Sequence, residues 1–144
     1  MKTKSIGKLL AAVAVLLAAG CAITQNVRPV TASDIRSICI KHNAQTFMTD
    51  FESELRSQIE ARGIKARMYD GEAPSECRYR LEYTANWHWD LAMYLVYADL
   101  RVYDRDLLIG EANYDARGGG ANFGKFGHTG EKLKPLTEQL FKHG

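Results

Sequence analysis

Residues 79–104 read Tyr79-Arg80-Leu81-Glu82-Tyr83-Thr84-Ala85-Asn86-Trp87-His88-Trp89-Asp90-Leu91-Ala92-Met93-Tyr94-Leu95-Val96-Tyr97-Ala98-Asp99-Leu100-Arg101-Val102-Tyr103-Asp104. In the first half Tyr79, Leu81, Tyr83, Ala85, Trp87 and Trp89 alternate with Arg80, Glu82, Thr84, Asn86, His88 and Asp90. That period of two is the signature of a strand with one apolar and one polar face, and it assigns the aromatic row to the core. The second half has an apolar row at Ala92, Tyr94, Val96, Ala98, Leu100 and Val102. Its opposite row is also apolar at Leu91, Met93, Leu95 and Tyr97 before it turns to Asp99 and Arg101. An antiparallel hairpin follows. Opposing Arg80 to Asp99 rather than to Arg101 avoids a like-charge pair, unfavourable by up to ~1 kcal/mol, so paired residue numbers should sum to about 179, with a turn at His88 to Leu91. In that register Leu91, Met93, Leu95 and Tyr97, with Leu107 and Ile109 beyond them, point away from the core. Contiguous apolar patches of that size mark contact surfaces, so this face is expected to meet a partner, a second copy or the glycine-rich loop that follows.

Working outward, Asp104-Arg105-Asp106 is a turn, and Leu108, Gly110, Ala112, Tyr114 and Ala116 form the inward row of another strand, paired so that Gly110 opposes Leu100. Upstream, the β-branched run Ile35 to Ile40 and the segment Ile64 to Tyr69 are strands. Between them Phe47, Phe51, Leu55 and Ile59 recur at i+4, which predicts a helix over 45–62 that stops at Gly63. Short links around that helix favour a right-handed crossover and a parallel strand pair. At the far end Leu133, Leu136, Leu140 and Phe141 are at helical spacing, with Pro135 expected in the first turn, where its missing N–H is harmless. The order βαββββα predicts an α+β two-layer sandwich, a mixed and mostly antiparallel sheet with two helices on one face.

The N-terminus carries different information. Lys2, Lys4 and Lys8 precede an apolar run from Leu9 to Ala19, at about 11 residues too short to span a bilayer, so residues 1–20 are read as a signal segment. Leu16-Leu17-Ala18-Ala19-Gly20-Cys21 resembles a lipobox, which implies that Cys21 is acylated and becomes the first mature residue. Ala22 after the cysteine resembles the pattern of lipoproteins sent to the outer membrane. Residues 21–34, without helix or strand periodicity, are expected to be a lipidated tether, up to ~43 Å if fully extended. Residues 35–144 make a single domain.

Of 19 basic and 17 acidic residues the leader holds three lysines and no acid, which leaves 16 against 17, a net charge of −1. A chain so nearly neutral has no global electrostatic case for nucleic-acid binding. With Cys21 acylated, Cys39 and Cys77 remain. An oxidising compartment favours a disulfide between them, two buried thiols or a nucleophile being the alternatives, and no Cys-x-x-Cys spacing points to metal or redox work.

Gly119 to Lys125 fits G-x-x-x-x-G-K, but Phe126 stands where a Ser or Thr would hold magnesium, so a nucleotide loop is disfavoured. His42, His88, His128 and His143 show no paired ligand spacing, and no metal or cofactor is expected. The stretch Arg117 to Gly130 contains six glycines, Phe123 and Phe126, and Arg117, Lys125 and His128 before any acid. It reads either as a crossing into the last helix or as a mobile cationic loop for an anionic partner or lipid head group. Tyr83 to Tyr94 and Gly110 to Gly120 resemble a family of small, functionally uncharacterised proteobacterial outer-membrane lipoproteins, a resemblance that covers most of the mature domain and implies no catalytic residue. Together these readings predict a periplasm-facing envelope lipoprotein that works by binding, as an accessory or structural component with a protein partner or as a homo-oligomer. A lipid or small-molecule carrier is the alternative, and a hydrolase comes third.

Overall fold

Six strands form one sheet in the order β1 (Thr24–Arg28), β6 (Leu107–Asp115), β5 (Ala92–Asp104), β4 (Tyr79–Asp90), β2 (Ser37–Lys41) and β3 (Lys65–Tyr69), antiparallel except where β2 runs parallel to both β3 and β4. The computed structural model describes residues 22–142. In chain order the elements are β1 (Thr24–Arg28), β2 (Ser37–Lys41), α1 (Asp50–Glu60), β3 (Lys65–Tyr69), β4 (Tyr79–Asp90), β5 (Ala92–Asp104), β6 (Leu107–Asp115), a single 3-10 turn (Phe123–Lys125) and α2 (Thr129–Leu140). The two helices pack against each other on one face of the sheet, so the expected α+β sandwich is the observed one.

The core lies between that helical layer and the inward row of each strand. Phe51, Leu55 and Ile59 of α1 and Leu133, Leu136 and Leu140 of α2 meet Ile38, Ile40, Leu81, Leu100 and Ala112, all essentially without solvent contact. Each large aliphatic or aromatic side chain so enclosed contributes about 1.5–3 kcal/mol relative to exposure. Helix α1 starts at Asp50 rather than near 45, because Asn43 ties Thr46 and Gln45 into a separate turn through its carbonyl and its side-chain oxygen. Its stop is the expected one: Gly63 has φ +79°, open to glycine and costly for other residues. Pro135 lies in the middle of α2, not in its first turn.

Three expectations are corrected. The segment 21–34, expected as a tether, holds strand β1 from Thr24 on, antiparallel to β6 with Thr24 opposite Asp115 and Arg28 opposite Glu111. Beyond β1, Val30 is buried. Its N–H donates to the Leu140 carbonyl at 2.9 Å, and Val30 lies so close to Gly110 that a Cβ there would be 2.7 Å from Val30 Cγ1. A polar strand with a single half-buried valine shows little alternation of its own, and its place comes from the backbone bonds that β6 offers.

The second correction is the register. β4 and β5 pair with Ala85 opposite Ala98 and Glu82 opposite Arg101, four residues from the expected alignment but of the same parity. The ladder runs on to Asp90 opposite Ala92, and the turn is tight at Leu91, not a four-residue loop over His88 to Leu91. β5 and β6 are likewise offset by two, with Ala112 opposite Leu100.

The third correction follows from β-bulges. Between Asn86 and Trp87 the ladder steps from Tyr97 to Leu95, leaving Val96 as the extra residue, whose carbonyl accepts from Ala116 N–H at 2.8 Å. A bulge reverses which residues face inward. Ala98, Leu100 and Val102 face the helices below it, but above it Leu95 and Met93 do, alongside Trp87 and Trp89. A second bulge leaves Ile109 without a partner on β5 and turns it into the core.

On the opposite face Cys39 and Cys77 are joined by a disulfide, with Cα atoms 5.8 Å apart, covered in part by Tyr69 and Ala73. The bond ties β2 to the residues just before β4. Among the described residues no helix is long and apolar enough to cross a membrane.

Candidate binding surfaces

Strand β6 ends at Asp115 opposite Tyr97, and β1 begins there too, opposite Asp115. The β4–β5 hairpin continues from Tyr97 to Ala92, five residues past both, which at ~3.3 Å per residue is a projection of roughly 16 Å. The apolar row of β4 continues into it, but the helical layer does not. Trp87 is still held, edge-on to Phe51 at 5.6 Å and to Phe47 at 5.4 Å. Beyond it Trp89 is 66% exposed, Met93 45% and Leu91 81%.

The expected apolar patch is therefore split. Leu91 and Met93 are at the projecting end, and Met93 lies on the helix side of the sheet, a correction to its expected place on the open face. Leu95 is only 2% exposed and belongs to the core, a correction to its place on the contact surface. Tyr97 stays on the open face, half-buried beneath the Arg117 guanidinium, which stands 4.6 Å from its ring centre. Trp89, expected in the core, is the surface residue that alternation misassigned, because alternation identifies a face but not how far a covering layer reaches.

The glycine-rich loop folds against the open-face flank of the same hairpin. Phe126 meets Tyr94 edge-on at 5.4 Å, and Lys125 is buried there with its ammonium 2.7 Å from Asp90 Oδ2 and 2.6 Å from the Gly120 carbonyl. The Asp90 carboxylate raises the Lys125 amine above its ordinary range. Arg117 donates to Asp115 from both Nε and Nη2. Of the two readings of this loop, the cationic one meets Lys125 and Arg117 already paired with carboxylates of the sheet, Asp90 of β4 and Asp115 of β6. Asn122 accepts from Gly124 N–H at 2.9 Å, which shapes the 3-10 turn and presents Phe123, 78% exposed, beside the hairpin. His128 is elsewhere, at the start of α2 near Asp50 and Glu54. A Cβ added at Gly119 or Gly124 would meet Ile23 at 3.4 or 3.7 Å, and one at Gly118 would meet the Ala22 carbonyl at 3.2 Å. The described chain therefore enters the fold at the foot of the projecting hairpin. Cys21 lies outside the described residues.

The open face of the sheet is polar. A groove of about 570 Å³, open to solvent, runs along it between Lys41, His42, Glu82, Tyr97, Arg101 and Tyr103. At its rim Glu52 accepts from the Tyr83 hydroxyl and lies 2.6 Å from His42 Nδ1. Burial, reinforced by the Glu52 carboxylate, pushes Tyr83 above the ordinary phenol range. Arg101 pairs with Asp99 at 2.8 Å and Arg80 with Asp106 at 3.2 Å. Among the described residues no cluster of three or more His, Cys, Asp or Glu side chains has a metal-binding arrangement.

No protein-family model and no curated protein matches the chain. Its fold is similar to that of a PelC dodecamer from Paraburkholderia phytofirmans, with a TM-score of 0.51 at 12% identity over 85% of this chain and 96% of that one. A variant of the same PelC superposes with a TM-score of 0.49 at 15% identity, over 85% of this chain and 95% of that one.

Proposed function

We propose that the protein is an envelope lipoprotein, acylated on Cys21 and held on the periplasmic side of the outer membrane, whose domain is a non-catalytic structural or accessory component that associates with copies of itself. The observation that carries this reading is the packed interior between helices and sheet among the described residues. The space between helices and sheet is filled by side chains at full burial, and the grooves described are open to solvent. A carrier needs an enclosed apolar volume for its cargo. In the groove beside His42 and Arg101, Asp99 pairs with Arg101 and His42 with Glu52, which suits a wall better than a reaction centre. The leader and lipobox support the anchor, and the fold shared with the PelC dodecamer supports self-association.

The test is crosslinking of the full chain in its native envelope, followed by mass analysis. The expected products are a ladder of homo-oligomers in the outer-membrane fraction, and Cys21→Ala should abolish acyl labelling and release the domain. A chain that remains monomeric and uncrosslinked would sink the assembly reading. A label and membrane retention that survive Cys21→Ala would sink the anchor.

A further inference from the structure

We infer that the projecting β4–β5 hairpin, with Phe123 beside it, enters the lipid–water interface of the membrane that carries the anchor. The inference rests on acylation of Cys21. Strand β1 runs away from the hairpin end, and the first described residues, Ala22 and Ile23, lie against the loop at the hairpin's foot. Chains attached at Cys21 would hold that end of the domain, and not the opposite one, at the bilayer surface. The projection of roughly 16 Å is long enough to bury its end at the ~5–10 Å depth typical of interfacial elements.

The chemistry of the end fits the same occupant. Around this end Trp89, Leu91 and Phe123 are largely exposed and Met93 nearly half exposed, a mixture of indole, phenyl and aliphatic side chains suited to the head-group boundary. Leu91 is the decisive residue. It forms the apex of the turn at φ +62°, a backbone region where glycine or asparagine is unstrained and leucine is not. A turn chosen for its backbone alone would not place leucine there, and an 81% exposed leucine gains nothing from packing within this domain. Two carboxylates of this hairpin region, Asp90 at its end and Asp115 at its foot, are each paired with a cation, Lys125 and Arg117, which eases their approach to lipid.

Trp89 provides the readout, since only Trp87 accompanies it in the chain. The full acylated protein is reconstituted into phosphatidylethanolamine–phosphatidylglycerol vesicles with and without brominated acyl chains, and its acyl mass is confirmed. Tryptophan emission should be blue-shifted and quenched by the brominated lipid. Trp89→Phe should remove most of that quenching, and Leu91→Asp and Phe123→Ser should each lower it several-fold while leaving the far-ultraviolet circular dichroism unchanged. Unquenched emission from a protein that does carry the acyl mass overturns the inference and leaves the anchor standing. Blue-shifted but unquenched emission overturns it in favour of a second copy covering the hairpin. Absence of acyl mass on Cys21 removes the anchor and this inference with it.

Discussion

The β4–β5 hairpin contains two regions made from the same alternating sequence that meet different fates. Below the bulge at Val96, the inward row of Leu81, Tyr83, Ala85, Ala98 and Leu100 is sealed by α1 and α2. Above it, Trp89 and Met93 continue the row on the same face but are left 66% and 45% exposed, and the row ends at the exposed apex Leu91. The difference shows that an apolar face records what a surface is suited to contact, while the reach of the neighbouring layer decides whether that contact is internal. The body of the hairpin is therefore a matter of stability and its end a matter of binding.

The sharpest way to break this division is to treat two phenylalanines alike. Phe51→Ala, in the body, should lower unfolding free energy by about 3–5 kcal/mol, whereas Phe123→Ala should change it by no more than ~0.5 kcal/mol, both read from urea denaturation. Comparable losses at the two sites would erase the distinction. Next in size is the disulfide, which closes a separation of 38 residues. Cys39→Ala with Cys77→Ala should cost about 3–4 kcal/mol on the chain-entropy account, with the hairpin end keeping its contacts.

A smaller effect tests the part of the body that alternation missed. Gly110→Ala would force a methyl group against Val30 and should cost about 1–3 kcal/mol, accompanied by faster hydrogen exchange along β1. Indifference to this change would mean that the segment after Cys21 is the loose tether its composition suggests. Smallest, and opposite in sign, is the apex. Leu91→Gly relieves a left-handed leucine and should raise stability by roughly 0.5 kcal/mol by thermal unfolding, while weakening any contact the end makes with lipid. A stability loss there would show that Leu91 packs within the fold.

The long strands, the helix stop at Gly63 and the pairing of Cys39 with Cys77 could be anticipated from local pattern and composition. The first bulge also had a signal. In β5 the inward apolar positions are odd at Met93 and Leu95 and even at Ala98, Leu100 and Val102, and a strand can exchange faces in that way only by inserting a residue. Read as a single uninterrupted strand, the same letters placed Leu95 outside and Tyr94 inside, when Leu95 is in the core and Tyr94 lies under Phe126. The candidate surface was half legible for the same reason: Leu91 and Met93 are exposed, but the bulge puts Met93 on the helix side of the sheet and not on the open face where an uninterrupted strand would set it, and the charges of Lys125 and Arg117 looked free because their partners, Asp90 and Asp115, are assigned only by the folded loop.

The sequence by itself determined the element types, the two-layer class and the parity with which β4 meets the body of β5, because alternation and i+4 spacing are properties of neighbours along the chain. Tertiary structure decided the absolute register, the docking of Thr24–Arg28 onto β6, the inward turn of Ile109 and the line beyond which Trp89 is left in solvent. These depend on backbone hydrogen bonds between distant segments and on where a covering helix ends, and neither is a periodic property of the residues concerned.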